Sequence, residues 1–215
     1  MTAVDRSVTN TYPEPPSSIC STGPVTNVIN GALLAIIRRH FAERSNIVVE
    51  SLRDYIWDKD DKLSRILIEP IYHWKPTNIQ QRPGVVIKRG AWKIQRMGIG
   101  DRVMATVSTD GYTEAEQQVL VVGSHSLFCL GRTGLEAEEV GLEVAMELMG
   151  FSEIIRQQLC LTRFQLDSID RVFKVDECQD HFAVPVNITY GTQLNWKVLR
   201  QTPIWMRSSM SVLVE

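Results

Sequence analysis

The chain has 215 residues, 44% of them hydrophobic and 22% charged, a composition that fills one ordinary globular core with appendages. Its formal net charge of −2 excludes the strongly basic balance of a dedicated nucleic-acid-binding domain, and no apolar run reaches membrane-spanning length. Residues 1–24 lack the apolar core of a secretory leader and are rich in Ser, Thr and Pro, so the chain reads as a product of the cytosol.

Residues 1–23 carry Tyr12-Pro13-Glu14-Pro15-Pro16, which resists regular structure and predicts an extended N-terminal arm. Pro24 suits the first turn of a helix, and Val25, Val28, Ile29, Leu33, Ile36, Ile37 and Phe41 recur at helical spacing up to about Arg44. A short helical turn is expected within 51–57, followed by the charged turn Asp58-Lys59-Asp60-Asp61. Residues 65–72 read as a strand with Ile66 and Ile68 on one face and Leu67 and Glu69 on the other. Pro76 and Pro83 bracket a polar loop, and 84–89 form the next strand. The segment 92–96 pairs with that strand or extends it through a bend at Gly90. Gly98-Ile99-Gly100-Asp101 lacks the spacing of a phosphate-binding loop and reads as a turn, and 106–112 reads as a polar loop.

The second half is more strongly patterned. A long strand over 117–130 has a bend or bulge at Gly123. The helix over 134–149 opens on Thr133 and Glu136 at capping-box spacing. Its inward stripe is Ala137, Val140, Gly141, Val144, Ala145 and Leu148, and Glu136, Glu138, Glu139, Glu143 and Glu147 are expected to face out. A shorter helix follows from Gly150-Phe151-Ser152, then a strand over 161–175 whose later part twists or bulges. From 181 to 198, Phe182, Val184, Val186, Ile188 and Tyr190 alternate with more polar residues, and the parity resumes at Leu194 after Gly191-Thr192. Residues 200–215 form an apolar tail carrying Trp205 and Met206. These elements predict an α+β fold: a mainly antiparallel twisted sheet with helices on one face. One domain is expected over 24–199, including a basic hairpin region 75–102, with the arm and tail outside it.

No catalytic signature emerges, and no cofactor or metal is expected. In Ser124-His125-Ser126 the alternation of a strand sends the imidazole away from both hydroxyls. Asp176-Glu177-Cys178-Gln179-Asp180-His181 resembles a chelator on paper but sits where a hairpin must turn. The cysteines at 20, 129, 160 and 178 have no metal-knuckle or redox spacing, and Cys129 and Cys160 read as small core side chains. Charge is divided along the chain: 75–102 has seven basic residues against Asp101 alone, and 110–153 has nine acids against Arg132. Both runs read either as solvated faces or as complementary surfaces of neighbouring copies; Lys88, Arg89, Lys93, Arg96, Glu136, Glu139 and Glu143 are the candidate interface residues, and Trp205 and Met206 ask for a partner pocket.

The order of arm, helix, strands, bent strand, capped helix, two long strands and apolar tail resembles the tail terminator proteins of tailed bacteriophages. Gly123-Ser124-His125-Ser126-Leu127-Phe128 and Phe182-Ala183-Val184-Pro185-Val186-Asn187-Ile188 carry the likeness most clearly, which covers about residues 25–199. The resemblance implies a non-enzymatic virion subunit, assembled in the host cytoplasm, that forms a hexameric ring on the last ring of tail-tube protein. Such a ring ends tube growth and joins the tail to neck or head-completion proteins, with genomic DNA passing through its lumen. The alternatives are another neck or collar component, or a nucleic-acid-binding module that uses Lys88, Arg89, Lys93 and Arg96 beside Trp92.

Overall fold

The computed structural model describes residues 25–75, 82–96, 102–107, 112–175 and 181–201, with side chains described over 28–75, 82–95, 119–175 and 181–193. The fold is α+β. Helix α1 (Val25–Ala42) buries Ile29, Leu33, Ile37 and Phe41, a four-residue repeat that keeps one face against the core. Two short 3-10 turns, Arg44–Asn46 and Glu50–Leu52, lead toward β1 (Leu67–Pro70). Then come β2 (Gly84–Arg89), β3 (Lys93–Arg96), β4 (Arg102–Val107) and the long β5 (Tyr112–Gly131). Helices α2 (Gly134–Gly150) and α3 (Ser152–Gln158) precede β6 (Arg163–Ile169), β7 (Phe173–Lys174) and the long β8 (Phe182–Gln201).

The sheet runs β1-β2-β5-β8-β6, with β3 and β4 also paired to β5 and β7 to β8. It is mixed: β1 and β2 are parallel, whereas β2 with β5, β4 with β5 and β6 with β8 are antiparallel. The ladder of β2 and β5 runs from Gly84 opposite Leu130 to Arg89 opposite His125. Alternation along the strands divides the side chains between two faces. Ile68, Val85, Ile87, Leu127, Cys129, Val186, Ile188 and Tyr190 join α1 and α2 in the main core. Leu67, Val86, Leu130 and Ala183 form a second, smaller cluster.

The described chain divides into two compact units. The larger lies within Pro15–Ile94 and Val121–Thr192 and contains the three helices and the main core. The described residues of the smaller unit, 95–96, 102–107, 112–120 and 193–201, are all in strands.

Several sequence expectations need correction. Residues 106 and 107 belong to β4 rather than to a loop, and β5 begins at Tyr112, five residues before the strand expected from 117. The polar run Thr113-Glu114-Ala115-Glu116-Gln117 concealed it, because a strand reads from sequence by its apolar alternation. Gly123 lies inside a continuous strand. A Cβ there would meet the Tyr190 ring at 2.5 Å, so the glycine permits a close approach. The register shift in β6 does fall where a bulge was expected, between Leu166 and Ser168. Cys160 is exposed, not a core side chain. It ends α3 in the left-handed conformation with φ of 50°, and the N–H groups of Cys160 and Leu161 donate to the carbonyls of Gln157 and Arg156.

Candidate functional site

Lys88 and Arg89 close β2, and after Gly90 the chain continues as β3, beginning at Lys93. Gly90 donates its N–H to the carbonyl of Ser124, which holds the bend against β5. Lys88, Arg89 and Lys93 are exposed and form no ion pair among the described residues. The side chain of Arg96, expected in the same group, lies outside the described residues, as do Trp205 and Met206.

An aromatic anchor holds this ribbon. Trp92 donates its Nε1–H to Tyr190 Oη at 3.1 Å, and the Tyr190 ring lies 5.5 Å from the ring of His125. His125 is fully buried, and neither ring nitrogen has a hydrogen-bond partner among the described residues. Burial, and secondarily the charge of Arg89, push the imidazole down to about 4, so it is neutral near pH 7. Burial also raises the Tyr190 phenol above its ordinary value, against the opposing pull of Trp92 and Arg89. Ser126 points elsewhere and donates to Asn187 Oδ1 at 2.6 Å, so no nucleophile and base pair forms within Ser124-His125-Ser126. Trp92, read from sequence as a stacking surface, is half-buried with its indole N–H engaged.

Helix α2 uses its acids differently from the expectation. Thr133 Oγ1 accepts the N–H of Glu136 at 3.1 Å, as a capping box requires. The return bond goes one residue further back, from the N–H of Arg132 to Glu136 Oε2 at 2.6 Å. The other Glu136 oxygen accepts from Tyr55 Oη at 2.6 Å, which raises the Tyr55 phenol, and Glu139 accepts from Ser51 Oγ at 2.7 Å. Glu136 and Glu139 are therefore half-buried ties to the 50–55 segment.

Glu143, expected to face out as an interface residue, is fully buried. One oxygen takes His40 Nε2 at 2.7 Å and the N–H of Val48 at 2.9 Å; the other takes the N–H of Val49 at 2.8 Å. His40 Nδ1 lies 2.9 Å from Glu147 Oε2. Both His40 contacts are hydrogen bonds when both ring nitrogens carry protons, since both partners are acceptors. This cluster joins α1, α2 and the 47–49 segment. The sequence signal for it was faint: Glu143 and Glu147 border the inward stripe at Val140 and Val144, where a neighbouring helix reaches them.

The outward side of α2 is instead apolar. Leu135, Leu142 and Met149 are exposed at seven-residue spacing with Glu138 beside them, and Phe151 and Ile154, before and within α3, are also exposed. Leu135 also borders a cleft of about 440 Å³ between α2 and the 51–55 segment.

Around the second cluster lies a groove of about 290 Å³ lined by Ile71, Trp74, Val86, Phe128, Phe173 and Ala183, with Lys88 and Lys174 also in its wall. Asp176 to Asp180 lie outside the described residues, and His181 is buried. Among the described residues no group of three His, Cys, Asp or Glu is placed to hold a metal ion. No helix among them is long and apolar enough to cross a membrane.

No protein-family model matches the chain, and no curated protein matches its sequence.

Proposed function

We propose that the chain is a structural subunit of a tailed bacteriophage, forming a hexameric ring at the head-proximal end of the tail. There it ends tube growth and joins tail to neck. The observation that carries the reading is the order of elements: α1, a set of strands ending in the 20-residue β5, the capped helix α2, then β6 and the 20-residue β8. That is the α+β arrangement the resemblance implies, with α1 and α2 on one core. A smaller unit whose described residues all lie in strands, and an exposed apolar helix face, also suit a protein that works against neighbours. In this reading the partners are further copies of the chain, the tail-tube protein and the head-completion proteins, and DNA passes through the lumen.

Electron microscopy of the purified protein tests the reading, with closed six-fold particles as the expected result. The exposed Lys88, Arg89 and Lys93, with no ion pair among the described residues, favour a second reading, a nucleic-acid-binding module. A monomer at all concentrations, binding a short DNA duplex with affinity that falls steeply with salt, would establish that reading and overturn the ring.

A further inference from the structure

The outer surface of α2 is a stripe rather than a scatter. Leu135, Leu142 and Met149 are 66%, 47% and 49% exposed, and seven-residue spacing keeps them on one line, with steps of about 10.5 Å along the axis. Glu138, on the same side, is exposed and has no ion-pair partner among the described residues. A soluble subunit gains nothing from an apolar stripe on the one helix face that its own core does not use.

The larger unit also carries a complementary surface. In β3, Ile94 is 69% exposed and follows the exposed Lys93, and Lys88 and Arg89 are exposed at the end of β2. An exposed apolar residue next to a cation with no ion-pair partner among the described residues matches an apolar stripe beside a carboxylate that also has none among them. Lys88 lines the groove around the second cluster, whereas α2 packs on the main core, so stripe and ribbon are distinct patches of the same unit. A contact between two unlike patches repeats head to tail and closes into a ring when its rotation allows.

We propose that the outward stripe of α2 is a docking surface for a second copy of this chain, which lays its β2–β3 ribbon across Leu135, Leu142 and Met149 and sets Lys93 against Glu138. This contact is the subunit interface of the ring proposed above, and it rests on that reading. The apolar contacts supply the attraction, and the charge pair fixes register and partner.

Sedimentation velocity and electron microscopy of the full chain test it. Leu142→Lys, Lys93→Glu and Glu138→Lys alter exposed side chains, so each variant keeps the wild-type circular dichroism and, at concentrations too low for assembly, the wild-type melting temperature. Each weakens assembly by at least about tenfold in the concentration needed. Lys93→Glu combined with Glu138→Lys restores the pair with its signs exchanged and recovers most of the loss. Wild-type rings together with single variants that assemble unchanged, or a double variant no better than either single, overturn this interface and leave the ring reading standing. Loss of assembly on deleting 202–215, with Lys93→Glu and Leu142→Lys inert, overturns it in favour of the apolar tail as occupant. A wild-type chain that never forms rings removes both the interface and the reading beneath it.

Discussion

Replacing Glu143 by alanine removes the acceptor for three donors at once: His40 Nε2 and the N–H groups of Val48 and Val49. The site is sealed. Glu143 is fully buried and the His40 side chain is only 5% exposed, so water does not readily replace the lost carboxylate. Each buried donor left unpaired costs about 1–3 kcal/mol, and removing one partner of a buried pair typically costs about 3–5 kcal/mol. The three losses share one site and do not add, so about 3–5 kcal/mol is the expected total. A chain of this size loses about 2–4 °C of melting temperature per kcal/mol, which places the drop at about 6–20 °C. Thermal denaturation at pH 7 measures it, with Glu138→Ala as the exposed control, expected to fall within about 0.5 kcal/mol of wild type. In a double-mutant cycle, His40→Ala should cost much less once Glu143 is already alanine. If Glu143→Ala melts within about 2 °C of wild type, the carboxylate does not tie α1, α2 and the 47–49 segment together, and the reasoning is refuted.

Three further outcomes are expected. The folded state keeps His125 neutral down to about pH 4, whereas the unfolded chain protonates it below its ordinary value of 6.5. Its contribution is therefore complete above pH 6.5, declines as pH falls to about 4 and is lost below that, a change of about 3 kcal/mol. His125→Phe should flatten that slope in urea titrations at pH 7, 5.5 and 4.5; an unchanged slope places the titrating group elsewhere. Cys160→Gly relieves the left-handed backbone at the end of α3 and should raise stability by about 1 kcal/mol, read from the denaturation midpoint. Gly123→Ala forces a methyl to within 2.5 Å of the buried Tyr190 ring and should destabilise by about 1–3 kcal/mol, with a near-ultraviolet circular dichroism change from the displaced tyrosine.

The sequence alone determined the elements whose apolar residues keep a single period. The three helices, β2 to the residue, the two faces of β1 and the inward stripe of α2 were all legible, because the apolar residues that set each period face the core. His125 was correctly separated from its flanking serines by strand alternation alone. Tertiary structure decided what depends on a second element arriving from far away in the chain. The polar opening of β5 is strand because β4 pairs with it, which no period in residues 112–117 announces. Glu143 looked like a surface acid because a helix wheel shows only its own side chains. It is buried because His40, 103 residues away, and the 47–49 segment bring three donors to it. By the same logic the outward side of α2 looked acidic in composition, yet the fold turned Glu136, Glu139, Glu143 and Glu147 toward other parts of the chain and left Leu135, Leu142 and Met149 outside. A period fixes which side of an element is apolar, but only packing fixes which polar groups find partners and which apolar ones remain uncovered.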